Sequence, residues 1–181
     1  EVFPYLRKVI KDINPGNAIE LGIGAGIETA FLLQNGWNVR GIDINEANRS
    51  NVLSRIDESE EKRFKFETAF FEKIKLEKDN YDLVVGFNSL HFCKRDCFDD
   101  FFDEIKGSLK SGGLLVCNLL GKNDEWNIQD RPMTFLSREE IVRLLENDFE
   151  IELLKEEEKD SKKADGKLKH WHQFLVKAKK K

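Results

Sequence analysis

Short apolar strands alternate with helix-forming segments along almost the whole chain, and this alternation limits the possible folds more than any other feature. The clearest strand, Tyr81–Gly86, has the unbroken apolar centre that is typical of a strand buried on both faces. Such alternation requires a sheet covered by helices on both sides. The sequence therefore predicts one α/β domain over residues 1–181, with a doubly wound, mainly parallel seven-stranded sheet. The other six predicted strands are Ala18–Leu21, Trp37–Ile42, Phe64–Phe66, Leu114–Leu120, Phe149–Leu154 and Gln173–Ala178.

Helical spacing of apolar residues and helix-capping residues define the segments between these strands. Ser137 and Glu140 form a capping box that begins a helix running to about Asn147. The charge-dense run Lys155–Lys169 predicts a solvated hairpin or a loose loop. The remaining predicted helices are Tyr5–Ile13, Ile27–Gln34, Asn45–Glu61 and Cys97–Leu109.

Composition excludes several functional classes. The chain has 30 Lys and Arg residues against 34 Asp and Glu residues, a net charge of −4, which argues against a nucleic-acid partner because phosphate binding favours a basic surface. No apolar run approaches the ~20 residues that cross a bilayer, so no membrane partner is expected. Three irregularly spaced cysteines predict neither a disulfide framework nor a metal site, and free thiols favour a cytoplasmic location.

A glycine-rich turn follows the first strand and precedes a helix. Gly22, Gly24 and Gly26 allow the backbone to turn tightly and to approach a ligand without an intervening Cβ atom. The helix that begins near Ile27 directs its unpaired N–H groups to the same place. In open α/β sheets, ligands bind at the carboxyl ends of the strands. This turn is therefore the predicted ligand site.

Two carboxylates accompany the turn, one at the end of each of the first two strands. Asp43 ends the second strand, where its two oxygens can accept both hydroxyls of a ribose. Glu20 precedes the turn, and a carboxylate there suits a sulfonium or an ammonium better than a pyrophosphate. The nicotinamide fingerprint G-x-G-x-x-G has a third glycine where this chain has Ile27. Both features disfavour a dinucleotide-dependent oxidoreductase.

Three motifs together resemble class I S-adenosylmethionine-dependent methyltransferases. They are Glu20–Gly26 followed by Asp43, Tyr81–Val85 with Asn88–Phe92, and Leu109–Leu115 at the turn into the fifth strand. The resemblance covers nearly the whole chain. It implies S-adenosylmethionine as cofactor, with the glycine loop around the methionine moiety and Asp43 on the ribose.

The resemblance also implies a set of cofactor-binding residues. Ile44 is expected to pack on the adenine, and Phe87 and Asn88 to line the methyl-donor pocket. Many family members carry an Asp after the third strand, whereas this chain has Ala69 and Phe70, so adenine recognition is expected to rest on backbone groups and an aromatic wall. The full predicted set is Glu20, Gly22, Ile23, Gly24, Gly26, Asp43, Ile44, Ala69, Phe70, Phe87 and Asn88.

The loop after the fifth strand, residues 121–134, resembles that of the tellurite-resistance methyltransferase group, whose members methylate small chalcogen oxyanions. In this loop Trp126 is expected to form an apolar lid, and Lys122 and Arg131 to contact an anion. His172 shares a strand face with His170; hydrogen bonds to a neighbouring strand are favoured, and contact with an anion or a metal is the alternative, although no third metal ligand stands out. His91 can reach the acceptor, so a catalytic and a structural role stay open.

The sequence thus predicts an enzyme that methylates a small molecule, with chalcogen oxyanions such as tellurite among the expected acceptors. Methyl transfer to another small metabolite and a non-catalytic cofactor-binding module remain alternatives. A soft anionic acceptor needs no general base, because the transfer depends on positioning and on exclusion of water.

Overall fold

The computed structural model describes residues 1–129, 131–163 and 166–181. Residues 130, 164 and 165, which fall in the predicted acceptor loop and charged hairpin, lie outside the described residues. The strands are β1 (Asn17–Leu21), β2 (Asn38–Asp43), β3 (Phe64–Thr68), β4 (Tyr81–Gly86), β5 (Leu109–Gly121), β6 (Phe135–Leu136), β7 (Phe149–Lys162) and β8 (Leu168–Lys180). The helices are α1 (Pro4–Val9), α2 (Ile27–Gln34), α3 (Asn48–Leu53), α4 (Glu58–Glu61), α5 (Arg95–Ser108), α6 (Glu125–Ile128) and α7 (Arg138–Leu145).

All eight strands form one sheet in the order β3-β2-β1-β4-β5-β8-β7, and β6 adds to β5. The strands from β1 to β5 pair in parallel, as does β6 with β5, whereas β8 is antiparallel to both β5 and β7. The predicted mainly parallel α/β sheet is therefore confirmed. The sequence prediction of seven strands missed β6, which has only two residues and no strand-like pattern of its own.

Helices bury both faces of the sheet. On one face, Phe98, Phe101, Phe102 and Ile105 of α5 follow the i, i+3, i+4, i+7 spacing of an apolar helix stripe and pack against Val84. On the other face, α1 and α2 cover Leu83 and Val85. Neighbouring residues of β4 thus enter opposite cores, as expected for a strand buried on both sides.

Two predicted segments differ from the structure. The single helix predicted over residues 45–61 is two short helices, because the Asp57 side chain accepts hydrogen bonds from the backbone of Ser59 and Glu60 and begins α4 anew. Of the two alternatives predicted for the charged run 155–169, the hairpin is confirmed, since the described residues of β7 and β8 pair from Phe149–Lys180 to Lys162–Leu168. Both strands are longer than predicted.

None of the helices within the described ranges is both long and apolar enough to cross a membrane.

Candidate functional site

A large cavity lies at the carboxyl ends of β1, β2 and β4, where the parallel strands stop. Its volume is about 760 Å³, within the usual range for a cofactor site. Seven of the predicted cofactor residues line it: Gly22, Gly24, Asp43, Ile44, Ala69, Phe70 and Asn88. The sequence prediction did not include its other lining residues, which are Phe71, Glu72, Lys73, Ser89, Phe92, Lys94 and Cys97.

The glycine loop forms the floor of this cavity and depends on left-handed backbone conformations. Gly22, Gly24 and Gly26 have φ values of 83°, 46° and 70°, which favour glycine. A Cβ atom at Gly22 would lie 2.4 Å from the Cβ of Ser89, so this glycine is required for packing. An added Cβ at Gly24 would have no described heavy atom within 4 Å. Gly24 therefore faces open space that a ligand can fill.

Asp43 holds the glycine loop and still faces the cavity. One of its carboxylate oxygens accepts the N–H of Gly24 at 2.9 Å, and the other accepts the N–H of Asn45 at 2.9 Å. A carboxylate has about four lone-pair sites in all. Asp43 therefore keeps acceptor capacity for a ligand hydroxyl while it fixes the position of the loop.

Glu20 lies behind the glycine loop rather than on the cavity surface. Its side chain is buried and accepts a hydrogen bond from the Thr29 hydroxyl. Burial raises the pKa of Glu20 well above its ordinary 4.5, and the nearby charges of Glu28 and Asp43 add to this, although the Thr29 bond opposes it. Glu20 therefore anchors the start of α2, and its burial disfavours the charged form.

Three large apolar side chains form an exposed wall around the cavity. Ile44, Phe70 and Phe92 are 59%, 54% and 55% exposed, which is unusual for residues of this size. Phe71 stands behind them in a 4.7 Å stack on Phe101 of α5. Ring faces and an aliphatic side chain at one site suit a flat heterocycle such as adenine.

Three more predicted cofactor residues lie outside the cavity lining. Ile23 is buried and packs against Gly41. Gly26 is the N-cap residue of α2 and lies close to Val52. Phe87 is buried in a 4.2 Å stack with Phe3. These side chains support the loop and the neighbouring turn from behind.

Asn88 connects the cavity to the end of β5. Its φ of 53° places it in the left-handed region, and its backbone N–H donates to Oδ1 of Asn118 at 2.6 Å. The Asn118 amide donates back to Oδ1 of Asn88 at 2.8 Å. This reciprocal pair holds the turn after β4 in its strained conformation.

His91 is buried, and its ring has no hydrogen-bond partner at Nδ1 among the described residues. Its ring contacts Phe92 and lies 6.2 Å from the Trp126 ring centroid. Burial, together with the positive charge of Lys169, lowers the pKa of His91 from 6.5 to about 3. His91 is therefore neutral at physiological pH and a weak base.

The four residues predicted to contact the acceptor do not line the large cavity. Lys122 forms a 3.0 Å ion pair with Glu140, whereas the Arg131 guanidinium lies 5.0 Å from the centroid of Trp126. His172 accepts the N–H of Asn123 at 3.0 Å through Nδ1, and its Nε2 contacts Glu156 at 2.9 Å.

His170 contacts Asp160 and Glu158, so the favoured interpretation of both histidines as hydrogen-bonded strand residues agrees with the geometry. Within the described ranges, no group of three or more His, Cys, Asp or Glu side chains is arranged to hold a metal ion.

A buried ion pair that the sequence did not reveal organises the loop that follows β5. Lys169 lies 2.5 and 2.6 Å from the two carboxylate oxygens of Asp124, and both side chains are fully buried. The ammonium also lies 3.7 Å from the ring centroid of Trp171 and 4.5 Å from that of Trp126. Burial lowers the pKa of Lys169, and Asp124 opposes this by stabilising the charged form. The pair ties the loop to β8.

Comparison with known protein families matches residues 19–117 to the family described as a methyltransferase domain. No curated protein shows significant similarity to the chain.

Several solved structures share the fold. TehB from Haemophilus influenzae is similar with a TM-score of 0.80 and 17% identity over 99% of this chain, which spans only 63% of that protein. A SAM-dependent methyltransferase from Methanosarcina mazei has a TM-score of 0.74 and 18% identity, over 99% of this chain and 98% of its own. The Burkholderia thailandensis 1,6-didemethyltoxoflavin-N1-methyltransferase, solved with bound 1,6-didemethyltoxoflavin and S-adenosylhomocysteine, has a TM-score of 0.70 and 17% identity, over 97% of this chain and 75% of its own.

Proposed function

Because the chain belongs to the methyltransferase domain family of S-adenosylmethionine-dependent enzymes, we propose that it methylates a small nucleophile that arrives already deprotonated. Chalcogen oxyanions such as tellurite are the leading candidates. The family and the cofactor predicted from the sequence are confirmed, as is the prediction of an enzyme. We propose in addition the class of methyl acceptor and the role of each site residue.

The main support for this proposal is that His91 is buried and is a weak base. It is the histidine nearest the end of β4, yet it is buried, lacks a partner at Nδ1 among the described residues and has a pKa of about 3. A general base works best with a pKa near the operating pH. An acceptor that must lose a proton during the reaction is therefore poorly served, whereas an oxyanion or a thiolate brings its own lone pair.

We assign the cofactor to the 760 Å³ cavity. The glycine loop would hold the methionine moiety over Gly24, and the free acceptor sites of Asp43 would take ribose hydroxyls. Ile44 and Phe70 would enclose the adenine between an aliphatic side chain and a ring. Their exposed apolar surface supports this assignment, since its burial against a bound heterocycle would contribute roughly 25 cal/mol per Å².

When bound, S-adenosylmethionine would supply a methyl group that is attached to a positively charged sulfur. The lone pair of the acceptor would attack the methyl carbon in line with the C–S bond, and the sulfur would keep the electron pair of that bond. The protein has to place the two reactants and exclude water rather than move a proton. Asn88 and Asn118 fix the turn at the point where the cofactor cavity meets the end of β5.

The similarity of the whole chain to TehB, together with the resemblance of the loop after β5, supports a chalcogen oxyanion over other small acceptors. Transfer to tellurite can be balanced without another reactant: a tellurium lone pair forms the new C–Te bond, and the electrons of the C–S bond remain on sulfur.

Turnover of tellurite by wild type and by His91→Gln tests the proposal. Wild type should transfer a methyl group to tellurite, and His91→Gln should retain turnover within about threefold, because general acid–base catalysis typically contributes about 10²–10⁴. His170→Gln, at a surface histidine, is the matched control. A folded His91→Gln variant that binds S-adenosylhomocysteine normally but loses a hundredfold in rate would contradict the proposal.

A further inference from the structure

Glu72 lines the 760 Å³ cavity assigned to the cofactor, although the sequence did not predict it as a site residue. It lies in the short 3₁₀ turn Phe71–Lys73, which follows β3 after Ala69 and Phe70. Its side chain is exposed, and it forms no hydrogen bond or ion pair with the described part of the chain. The Glu72 carboxylate is therefore available to accept hydrogen bonds from a ligand.

Two observations place Glu72 where the cavity meets the beginning of α5. The neighbouring Phe71 ring stacks on Phe101 of α5, with 4.7 Å between the ring centroids, so the turn packs against this helix. Burial raises the pKa of the Cys93 thiol to about 12, and the negative charge of Glu72 adds to this shift. Cys93 directly precedes Lys94, which also lines the cavity. The Glu72 carboxylate is thus close to the turn that leads into α5.

Other polar groups that border this part of the cavity are already bonded within the protein. The sequence predicts that backbone groups near Ala69 recognise the adenine, but the Ala69 N–H donates to the carbonyl oxygen of Asp43 at 3.1 Å. Oδ1 of Asn88 accepts the Asn118 amide at 2.8 Å. Asp43 and Glu72 are the two carboxylates among the described lining residues. They are therefore the strongest acceptors that a ligand in the cavity would meet.

The two carboxylates correspond to the two kinds of hydrogen-bond donor in an adenosine, the ribose hydroxyls and the 6-amino group of the base. Asp43 contacts the glycine loop and is assigned to the ribose. Ile44 and Phe70 are assigned to the two faces of the adenine, so its edge still needs a partner. Glu72 is two residues beyond Phe70 and lines the same cavity. An ionised carboxylate only accepts hydrogen bonds, so at this edge it favours an amino group over an oxo group.

We propose that Glu72 accepts a hydrogen bond from the 6-amino group of the cofactor's adenine and selects adenine over bases with an oxo group at that position. Glu72 is thus a specificity-determining residue, which serves a chain that has Ala69 and Phe70 directly after β3. The inference rests on the proposed assignment of S-adenosylmethionine to this cavity, and it does not involve the methyl acceptor.

Calorimetric titration with S-adenosylhomocysteine and S-inosylhomocysteine tests this inference, because the second compound has an oxo group in place of the 6-amino group. Wild type should bind S-adenosylhomocysteine at least tenfold more tightly. Glu72→Ala should bind it about tenfold more weakly, as expected for the loss of one hydrogen bond to a charged group. The same variant should bind S-inosylhomocysteine no more weakly than wild type does. Glu46→Ala, at an exposed carboxylate outside the cavity lining, is the matched control and should keep the wild-type preference.

Glu72→Gln distinguishes recognition of the base from a general effect on the cavity. Its amide can accept a hydrogen bond from an amino group or donate one to an oxo group, so it should bind both compounds with similar affinity. Thermal melts should show both Glu72 variants folded, because the side chain is exposed. A folded Glu72→Ala variant that keeps the wild-type preference, or a wild type without any preference, would overturn the inference.

The outcomes separate this inference from the proposed function. If Asp43→Ala and Gly24→Val weaken S-adenosylhomocysteine binding while Glu72→Ala leaves the preference unchanged, only the role of Glu72 is refuted. If neither Asp43→Ala nor Gly24→Val affects binding, the cofactor assignment is refuted, and the inference is overturned with it. A base preference that depends on Glu72, found without methyl transfer to tellurite, would confirm the inference and refute the proposed acceptor.

Discussion

Replacement of Asp43 by asparagine is expected to weaken the binding of S-adenosylhomocysteine about tenfold to a hundredfold. The two carboxylate oxygens accept the N–H groups of Gly24 and Asn45, each at 2.9 Å. Asparagine keeps one oxygen and replaces the other with an NH₂ group. That group would face the N–H of Gly24 or of Asn45, and it can no longer accept a hydrogen bond from a ribose hydroxyl.

The magnitude follows from the number of bonds lost. A hydrogen bond to a charged group contributes about 1.5–3 kcal/mol, and each 1.36 kcal/mol corresponds to a tenfold change in affinity. Loss of one such bond therefore gives about tenfold to a hundredfold. Asp43→Ala, which removes every acceptor, should weaken binding at least as much.

Calorimetric titration with S-adenosylhomocysteine measures this effect, and a thermal melt shows whether each variant is folded. Glu46→Gln is a suitable control, because Glu46 is an exposed carboxylate three residues away that does not line the cavity. A folded Asp43→Ala variant with an unchanged dissociation constant would refute the ribose assignment.

Three further variants test other parts of the site. Gly24→Val should abolish S-adenosylhomocysteine binding in calorimetry, because the new side chain fills the open space over the loop. It should also lower the Tm moderately, because a φ of 46° strains a β-branched residue. Normal binding by the folded variant would show that the loop is only a turn. Burial raises the pKa of Glu20, so its stabilising neutral form is complete below pH 4.5 and is lost as pH rises through the folded-state pKa. Glu20→Gln should therefore show a flatter dependence of Tm on pH above 4.5 than wild type, and parallel curves would contradict this. Lys169→Met leaves the buried Asp124 carboxylate without its cation, which should cost about 3–5 kcal/mol in urea unfolding. A double variant with Asp124→Asn removes the buried charge and keeps an acceptor oxygen for the N–H of Trp126 or His172. It should recover part of this loss, and failure to recover any of it would refute the ion-pair explanation.

The fold was predictable because its signals are local. The central parallel strands carry their own apolar runs, as in Tyr81–Gly86, and burial on both faces follows from such a run alone. The break between α3 and α4 was missed because the cap at Asp57 lies inside a continuous polar segment. The two-residue strand β6 forms only because β5 offers its edge, which no local pattern reveals.

The cofactor site was predictable where a residue type is tied to a strand end. The glycine loop and Asp43 follow strands directly, so their positions in sequence fix their positions in space. The pair Asp124–Lys169 was not predictable, because its members are 45 residues apart and meet only when β8 pairs with β5. The same holds for the cavity of about 260 Å³ between the N-terminal segment and strands β5, β7 and β8, which is lined by Phe3, Asn118 and Gln173 from three separate parts of the chain.

Transfer of a labelled methyl group from S-adenosylmethionine tests the central claim most directly. The purified protein is incubated with the labelled donor and tellurite, and the label is counted in small-molecule, protein and nucleic-acid fractions. We expect label in the small-molecule fraction only when tellurite is present. The amount of label should exceed the amount obtained with amine and alcohol acceptors. Label that enters only protein or nucleic acid, or only acceptors that must first lose a proton, would contradict it.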